Sequence, residues 1–294
     1  MRIVGVDIGG TSVIFGMFNE EGLKEQSWTF HIKQGMSGTS ILDQLVKQIE
    51  KIGDIDAIGI CVPGQVDAKT GAIIGNLVNI PYSNNLQIKS ILEARFSIPV
   101  FVCNDVQAAT LGENHVATAE NVTNYLFIAY GTGVGGAIVR DGEVDVGEKG
   151  YAGEFGHIIT HANGLPCTCG INGCYEMYGS TKALVQSAMK IDTAYDDGHK
   201  IISAYKEGNK HIQVAVEDWL NEVIIGLVSL VHIFNPTTLI LGGRIMENDF
   251  LVTDIQTRIN EQILQAFRHV VVKKATLGNE AGMYGAVIFA LKGA

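Results

Sequence analysis

The chain has 294 residues, 47% hydrophobic and 18% charged, with a formal net charge of −10 at pH 7. That is enough for two medium domains or one large one around a buried core, and it excludes a disordered chain. The acidic balance speaks against a broad nucleic-acid footprint, and no apolar run reaches membrane-spanning length.

The chain opens directly on an apolar strand, Ile3–Asp7, with no leader-like segment before it, and a cytoplasmic protein is expected. A second strand, Ser12–Phe18, a turn at Asn19-Glu20-Glu21-Gly22 and a third strand, Gln26–Ile32, read as a β-meander. Ile41, Leu45 and Ile49 recur four apart and predict a helix over Ser37–Ile52. A buried strand at Ala57–Val62, a helix over Leu86–Phe96, a strand at Val100–Cys103 and a helix over Val106–Asn114 follow. A second round then begins, with a strand at Tyr125–Tyr130, a glycine-rich turn at Gly131–Gly136 and a returning strand at Ala137–Val139. It echoes the opening and points to two topologically similar halves. A long helix, His211–Phe234, could serve a core or an association surface. A strand at Thr238–Leu241 ends in Gly242-Gly243-Arg244, and a helix over Glu280–Leu291 closes the chain. Strands alternating with helices imply an α/β fold. The expected division is a first domain, 1–116, completed by the C-terminal helix 280–294, and a second, 117–279.

Three segments suit an anion or a nucleotide. At Asp7-Ile8-Gly9-Gly10-Thr11 the glycines let backbone N–H groups approach a phosphate, Thr11 adds a hydroxyl, and Asp7 can hold Mg2+ through water. An ordinary glycine hairpin would look the same. Gly131-Thr132-Gly133-Val134-Gly135-Gly136 repeats the pattern, and two such hairpins facing each other across a cleft would clamp a triphosphate. Gly242-Gly243 is read either as a close-approach site for a nucleotide base or ribose, or as a plain strand-to-helix turn. Asn104-Asp105 follows a strand, where ligands of open α/β sheets bind. Asp105 is therefore either a general base or the N-cap of the next helix.

Five cysteines are present. Cys61 and Cys103, alone in apolar strands, are expected to be buried thiols. Cys167, Cys169 and Cys174 lie within eight residues, and His157 stands ten residues before Cys167. One His and three Cys complete the ligand set of a structural zinc. His161 competes with His157 for the fourth place. Glu154 and Glu176 flank the cluster, so the metal would brace a loop that carries carboxylates. Lys273-Lys274 reads as a solvated pair.

The whole chain resembles the ROK family of sugar kinases and repressors, in the actin-like ATPase superfamily with its ribonuclease H-like fold. The resemblance rests on Asp7–Thr11, Pro63-Gly64-Gln65-Val66-Asp67, Asn79-Ile80-Pro81, Asn104-Asp105, Gly131–Gly136, Gly153-Glu154-Phe155-Gly156-His157 and Cys167–Glu176. It implies two duplicated α/β domains flanking a cleft, and phosphorylation of a hexose hydroxyl, O6, by ATP. By resemblance, Asp105 takes the hydroxyl proton. Gly9, Gly10, Thr11, Thr132 and Gly133 contact the ATP phosphates. Gly64, Asn79, Asn104, Glu154, His157 and Glu176 line the sugar pocket, and His157, Cys167, Cys169 and Cys174 hold zinc. Ser12 stands where many members have Lys. Tyr82-Ser83-Asn84 stands where glucose-specific members often carry Trp, which leaves N-acetylmannosamine or a β-glucoside beside glucose as substrate. Family repressors carry an additional N-terminal helix-turn-helix domain; here a hairpin already begins at residue 7, so a repressor is not expected. The intact Asp7, Asp105 and hairpins argue against a silent sugar-binding relative. The expected partners are a small-molecule sugar and ATP, with no nucleic acid and no membrane, and a homo-oligomer, a dimer first.

Overall fold

The structure, a computed structural model, describes residues 1–67, 69–75, 80–116 and 122–293. Among these, β1 (Ile3–Ile8), β2 (Ser12–Phe18) and β3 (Lys24–His31) lead into α1 (Gly38–Ile49). There follow β4 (Ala57–Val62), a small hairpin of β5 (Gln65–Val66) and β6 (Ile73–Ile74), then α2 (Ile88–Phe96), β7 (Val100–Asn104) and α3 (Asp105–Val116). The second series is β8 (Tyr125–Tyr130), β9 (Val134–Arg140), β10 (Glu143–Asp145), α4 (Glu176–Gly179), α5 (Thr181–Met189), α6 (Gly198–Lys206) and α7 (Lys210–Phe234). It continues with β11 (Thr238–Gly242), α8 (Asp249–Gln262) and β12 (Val271–Lys274), and α9 (Ala281–Gly293) closes the chain. No described helix is long and apolar enough to cross a membrane.

Two compact units result: Met1–Asn121 with Val144–Ala152 and Asn279–Ala294, and Val122–Glu143 with Gly153–Gly278. The sheets run β3-β2-β1-β4-β7 and β10-β9-β8-β11-β12. The plan is the same in both. A hairpin pairs antiparallel, β1 with β2 and β8 with β9, and two later strands add in parallel, β4 or β11 on its first strand and β7 or β12 on that one. The repeat legible in the glycine runs is therefore a repeat of topology.

In the first unit, side chains of β1 alternate between faces, as a pleated strand requires. Val4, Val6 and Ile8 pack with Ile41, Leu42, Leu45 and Ile49 of α1, whereas Ile3 packs with Met283 and Val287 of α9. Each of these aliphatic side chains stabilises the unit by about 1.5–3 kcal/mol when fully buried. Ser37 caps α1, its Oγ accepting from the Ser40 N–H at 3.1 Å, so the helix starts where the polar run ends. Helix α9 lies unusually close to the sheet: a Cβ on Gly59 would collide with the Ala286 carbonyl oxygen. Asp7, on the α9 face of β1, is thereby covered by the start of that helix. In the second unit, α7 buries Ile212, Val216, Trp219, Leu220, Val223 and Leu227, and Asn209 caps it by accepting from the N–H groups of His211 and Ile212.

Candidate functional site

In the first unit the chemistry gathers at the carboxyl ends of β1, β4 and β7. Asn104, the last residue of β7, stands one position before Asp105. Its Oδ1 accepts from the N–H groups of Val106 and Gln107, at 2.9 and 3.1 Å, which is the work of the N-cap of α3. Its Nδ2 donates to the Gly64 carbonyl at 2.8 Å and to Asp105 Oδ1 at 3.0 Å. Gly64, Asn104 and Asp105 are thus brought together, with Gly64 in a left-handed conformation, φ +82. Burial, and secondarily the charge of Asp7, push the Asp105 carboxyl up to about 7, against the hydrogen bonds from Val106 and Asn104. Such a group exchanges its proton at neutral pH.

Asp7 lies in a row with two thiols: its strand partner in β4 is Cys61, whose own partner in β7 is Cys103. Both thiols are buried, as expected. An ideal Cβ on Gly282, in the first turn of α9, would sit 2.6 Å from Asp7 Oδ2 and 3.0 Å from Cys61 Sγ, so the space is full. Burial raises the Asp7 carboxyl to about 6, opposed by a hydrogen bond from Cys61. The hairpin that follows Asp7 is tied by Gly9 N–H to the Ser12 carbonyl at 2.8 Å and by Ile32 N–H to the Thr11 carbonyl at 2.9 Å. Gly9, Gly10 and Thr11 all retain some exposure.

In the second unit the four sulfur and nitrogen atoms of His157, Cys167, Cys169 and Cys174 lie within 4.8 Å of one another. Cys169 Sγ is 3.5 Å from Cys174 Sγ, and Cys167 Sγ is 3.9 Å from His157 Nδ1. Tetrahedral zinc with bonds of about 2.3 Å to sulfur sets its ligands about 3.8 Å apart, so this donor set fits. His161 is engaged elsewhere. Its Nε2 is 3.5 Å from Glu222 Oε1, and its ring stacks on Tyr178 at 3.9 Å. Glu154 and Glu176 both approach His157: Glu154 Oε2 is 3.8 Å from Nε2 and Glu176 Oε1 is 4.0 Å from Nδ1. The Cys167 thiol also donates to Glu176 Oε1 at 3.0 Å.

The second glycine run has a reason that sequence reading missed. A Cβ on Gly133 would strike the Glu176 carboxylate, one on Gly136 the Phe155 ring, and one on Gly156 the Val134 carbonyl oxygen. These glycines interlock the hairpin at Thr132 with the Glu154–His157 turn and with Glu176. Gly242 and Gly243 are likewise required by the fold. Gly242 leaves room for the Phe127 ring, 2.7 Å from an ideal Cβ, and Gly243, at φ +96, passes against the Tyr130 carbonyl. The fold thus accounts for both without a ligand. Lys273 and Lys274 lie in β12, and Lys274, its side chain 40% exposed, pairs with the exposed Asp249 at 2.5 Å. Asn79 lies outside the described residues. Tyr82, by contrast, is 81% exposed and adopts φ +56.

A model of the ROK family matches residues 3–293. The chain is 33% identical over 306 residues to a glucokinase from Streptomyces coelicolor, covering 96% of this chain and 95% of that one. A xylose repressor from Bacillus spizizenii is 30% identical over 237 residues, 78% of this chain and 59% of the repressor. Among solved structures, a ROK family glucokinase from Streptomyces griseus in complex with glucose and AMPPNP superposes with a TM-score of 0.86 at 29% identity, covering 99% of this chain and 100% of that one. The two sheets and their strand order are those of the actin-like ATPase fold.

Proposed function

The chain belongs to the ROK family, and we propose that it is an ATP-dependent sugar kinase that transfers the γ-phosphoryl group to a hexose hydroxyl, O6. The observation that carries this reading is Asp105. It stands at the end of a parallel strand with Asn104 taking over the cap of α3, and its carboxyl is raised to about 7. In the proposed reaction Asp105 accepts the proton of the attacking hydroxyl as the oxygen–phosphorus bond forms. Gly64 and Asn104 beside it, and Glu154, His157 and Glu176 of the second unit, are the proposed sugar ligands, together with Asn79. The N–H groups of Gly9, Gly10, Thr11, Thr132 and Gly133 are proposed to hold the phosphates, and Gly242-Gly243 to border the nucleotide.

Phosphoryl transfer depends on positioning and charge neutralisation more than on covalent help. Mg2+ entering with ATP supplies part of that neutralisation, and Asp7 is the residue proposed to hold it through water. His157, Cys167, Cys169 and Cys174 are proposed to hold a structural zinc, which takes no part in the transfer. The test is a coupled assay with Mg·ATP against glucose, N-acetylmannosamine, N-acetylglucosamine, allose, fructose and cellobiose. Turnover with one of these is expected. Sugar binding without turnover would overturn the kinase and favour a regulatory role of the kind borne by the xylose repressor.

A further inference from the structure

The run Cys174-Tyr175-Glu176 joins the cysteine cluster to the second glycine hairpin. Tyr175 and Tyr130 are almost fully buried, 0% and 1% exposed, and their hydroxyls lie 2.9 Å apart. The Tyr175 hydroxyl donates its one proton to the Val223 carbonyl of α7, at 2.9 Å. The bond between the two tyrosines therefore uses the proton of Tyr130. Tyr130 is the last residue of β8 and the one before Gly131. Its carbonyl accepts from Thr181 Oγ1 at 3.0 Å, and the Gly131 carbonyl accepts from Lys182 N–H at 3.2 Å. Tyr175 cannot shift to follow a moving hairpin. Its N–H donates to the Ile158 carbonyl at 2.8 Å, and its ring presses on Gly226 and Gly179, where any Cβ would overlap it. One residue on, Glu176 lies against Gly133 at the tip of the same hairpin.

We propose that Tyr175 is a positioning residue for the hairpin Gly131–Gly133, so that the cysteine cluster braces the nucleotide side of the site as well as the sugar side. This rests on the reading of that hairpin as a phosphate site. A buried hydrogen bond of this kind contributes about 0.5–1.5 kcal/mol, about a 2- to 12-fold change in an equilibrium constant.

Tyr175→Phe is the direct test, with Tyr205→Phe as control. The control removes a hydroxyl that donates to Glu217 of the same helix α7, at 2.8 Å. Three quantities are read: bound zinc, amide hydrogen exchange at residues 131–134 without nucleotide, and calorimetric affinity for a non-hydrolysable ATP analogue with Mg2+. Tyr175→Phe is expected to keep its zinc, to exchange faster at 131–134 and to bind nucleotide about 2- to 12-fold more weakly; Tyr205→Phe should change none of these. Removal of zinc by a chelator should reproduce the faster exchange. Tyr130→Phe should also do so. It removes the same bond while keeping Tyr175 on Val223, and so decides the question should Tyr175→Phe fold poorly. Equal behaviour of the Tyr175 and Tyr205 variants, or unchanged exchange in Tyr130→Phe, would overturn the proposal. If the wild type binds no nucleotide while exchange still rises in Tyr175→Phe, the phosphate reading fails and the positioning role stands.

Discussion

The two glycine hairpins occupy the same place in two sheets of the same order, yet they are built for different work. The first follows Asp7, a carboxylate walled in by Cys61 and Gly282, and is held by backbone bonds, from Ile32 N–H to Thr11 and across its own turn. The second follows Ala129, which stands two residues before Gly131 as Asp7 stands two before Gly9, so its strand carries no acid at that position. It is clamped instead from outside, by Tyr175, Glu176, Thr181 and Lys182. The same strand order presents the hairpin backbone twice. The first unit kept the ionisable chemistry, with Asp105 beside it, and the second received a cysteine-bearing loop that fixes its geometry.

The largest effect should come from breaking the chemistry of the first unit alone. Asp105→Asn is expected to lower kcat by about 10²–10⁴-fold, while zinc content and nucleotide affinity stay as in the wild type. Near-normal turnover would remove Asp105 from the role of base. The substitution should also raise Tm at pH 8. The folded-state value of Asp105, about 7, lies above its ordinary 3.8, so its contribution to stability is full below about pH 4 and is lost as pH rises through about 7. Asparagine carries no such charge.

Next in size is the pH dependence. A base with a value of about 7 is mostly protonated at pH 6, so kcat/KM should fall about tenfold per pH unit below 7 and level off above it. Asp7, at about 6, should steepen the acid limb below that value. Cys169→Ser belongs to the other unit. It should weaken sugar and nucleotide binding roughly tenfold, the low end of losses on removing metal-site support, and leave the position of this acid limb unchanged. A shift of the limb in Cys169→Ser would break the division of labour between the units.

The split also explains what the sequence made legible. Apolar strands running into glycines announced both hairpins, and the strands and helices of the first half fall close to where periodicity put them. Asn104-Asp105 was legible as a pair, but not that Asn104 takes the cap, because either residue type can cap a helix at that strand end. Helix α8 was missed although Leu251, Ile255 and Ile259 recur four apart, because polar residues fill nearly all the places between and beyond them. β12 was hidden by its lysines, yet Val270 and Val272 are buried on either side of exposed Val271, a period-two signal. The reasons for Gly133, Gly136 and Gly156 were out of reach. Each glycine is demanded by a side chain or carbonyl from a distant part of the chain, and nothing local records that.

The finest comparison lies within the hairpins. A methyl group on Gly131 would meet no heavy atom within 4 Å, and one on Gly9 would come 3.2 Å from the Ser12 carbonyl, a tight but adjustable contact. One on Gly133 must displace the Glu176 carboxylate, which then moves against Cys167 and His157. Gly131→Ala should therefore leave the KM values within about twofold, since surface changes away from special contacts stay within about 0.5 kcal/mol. Gly133→Ala should raise the KM for sugar as well as for ATP, by about 3- to 10-fold, the range expected when a close contact worth about 1 kcal/mol is disturbed. The double response is the informative part, because Gly133 is read as a phosphate ligand and Glu176 as a sugar ligand, and their contact links the two directly. If Gly133→Ala moved the KM for ATP alone, Glu176 would have room to yield, and the clamp on the second hairpin would reduce to the Tyr175 bond.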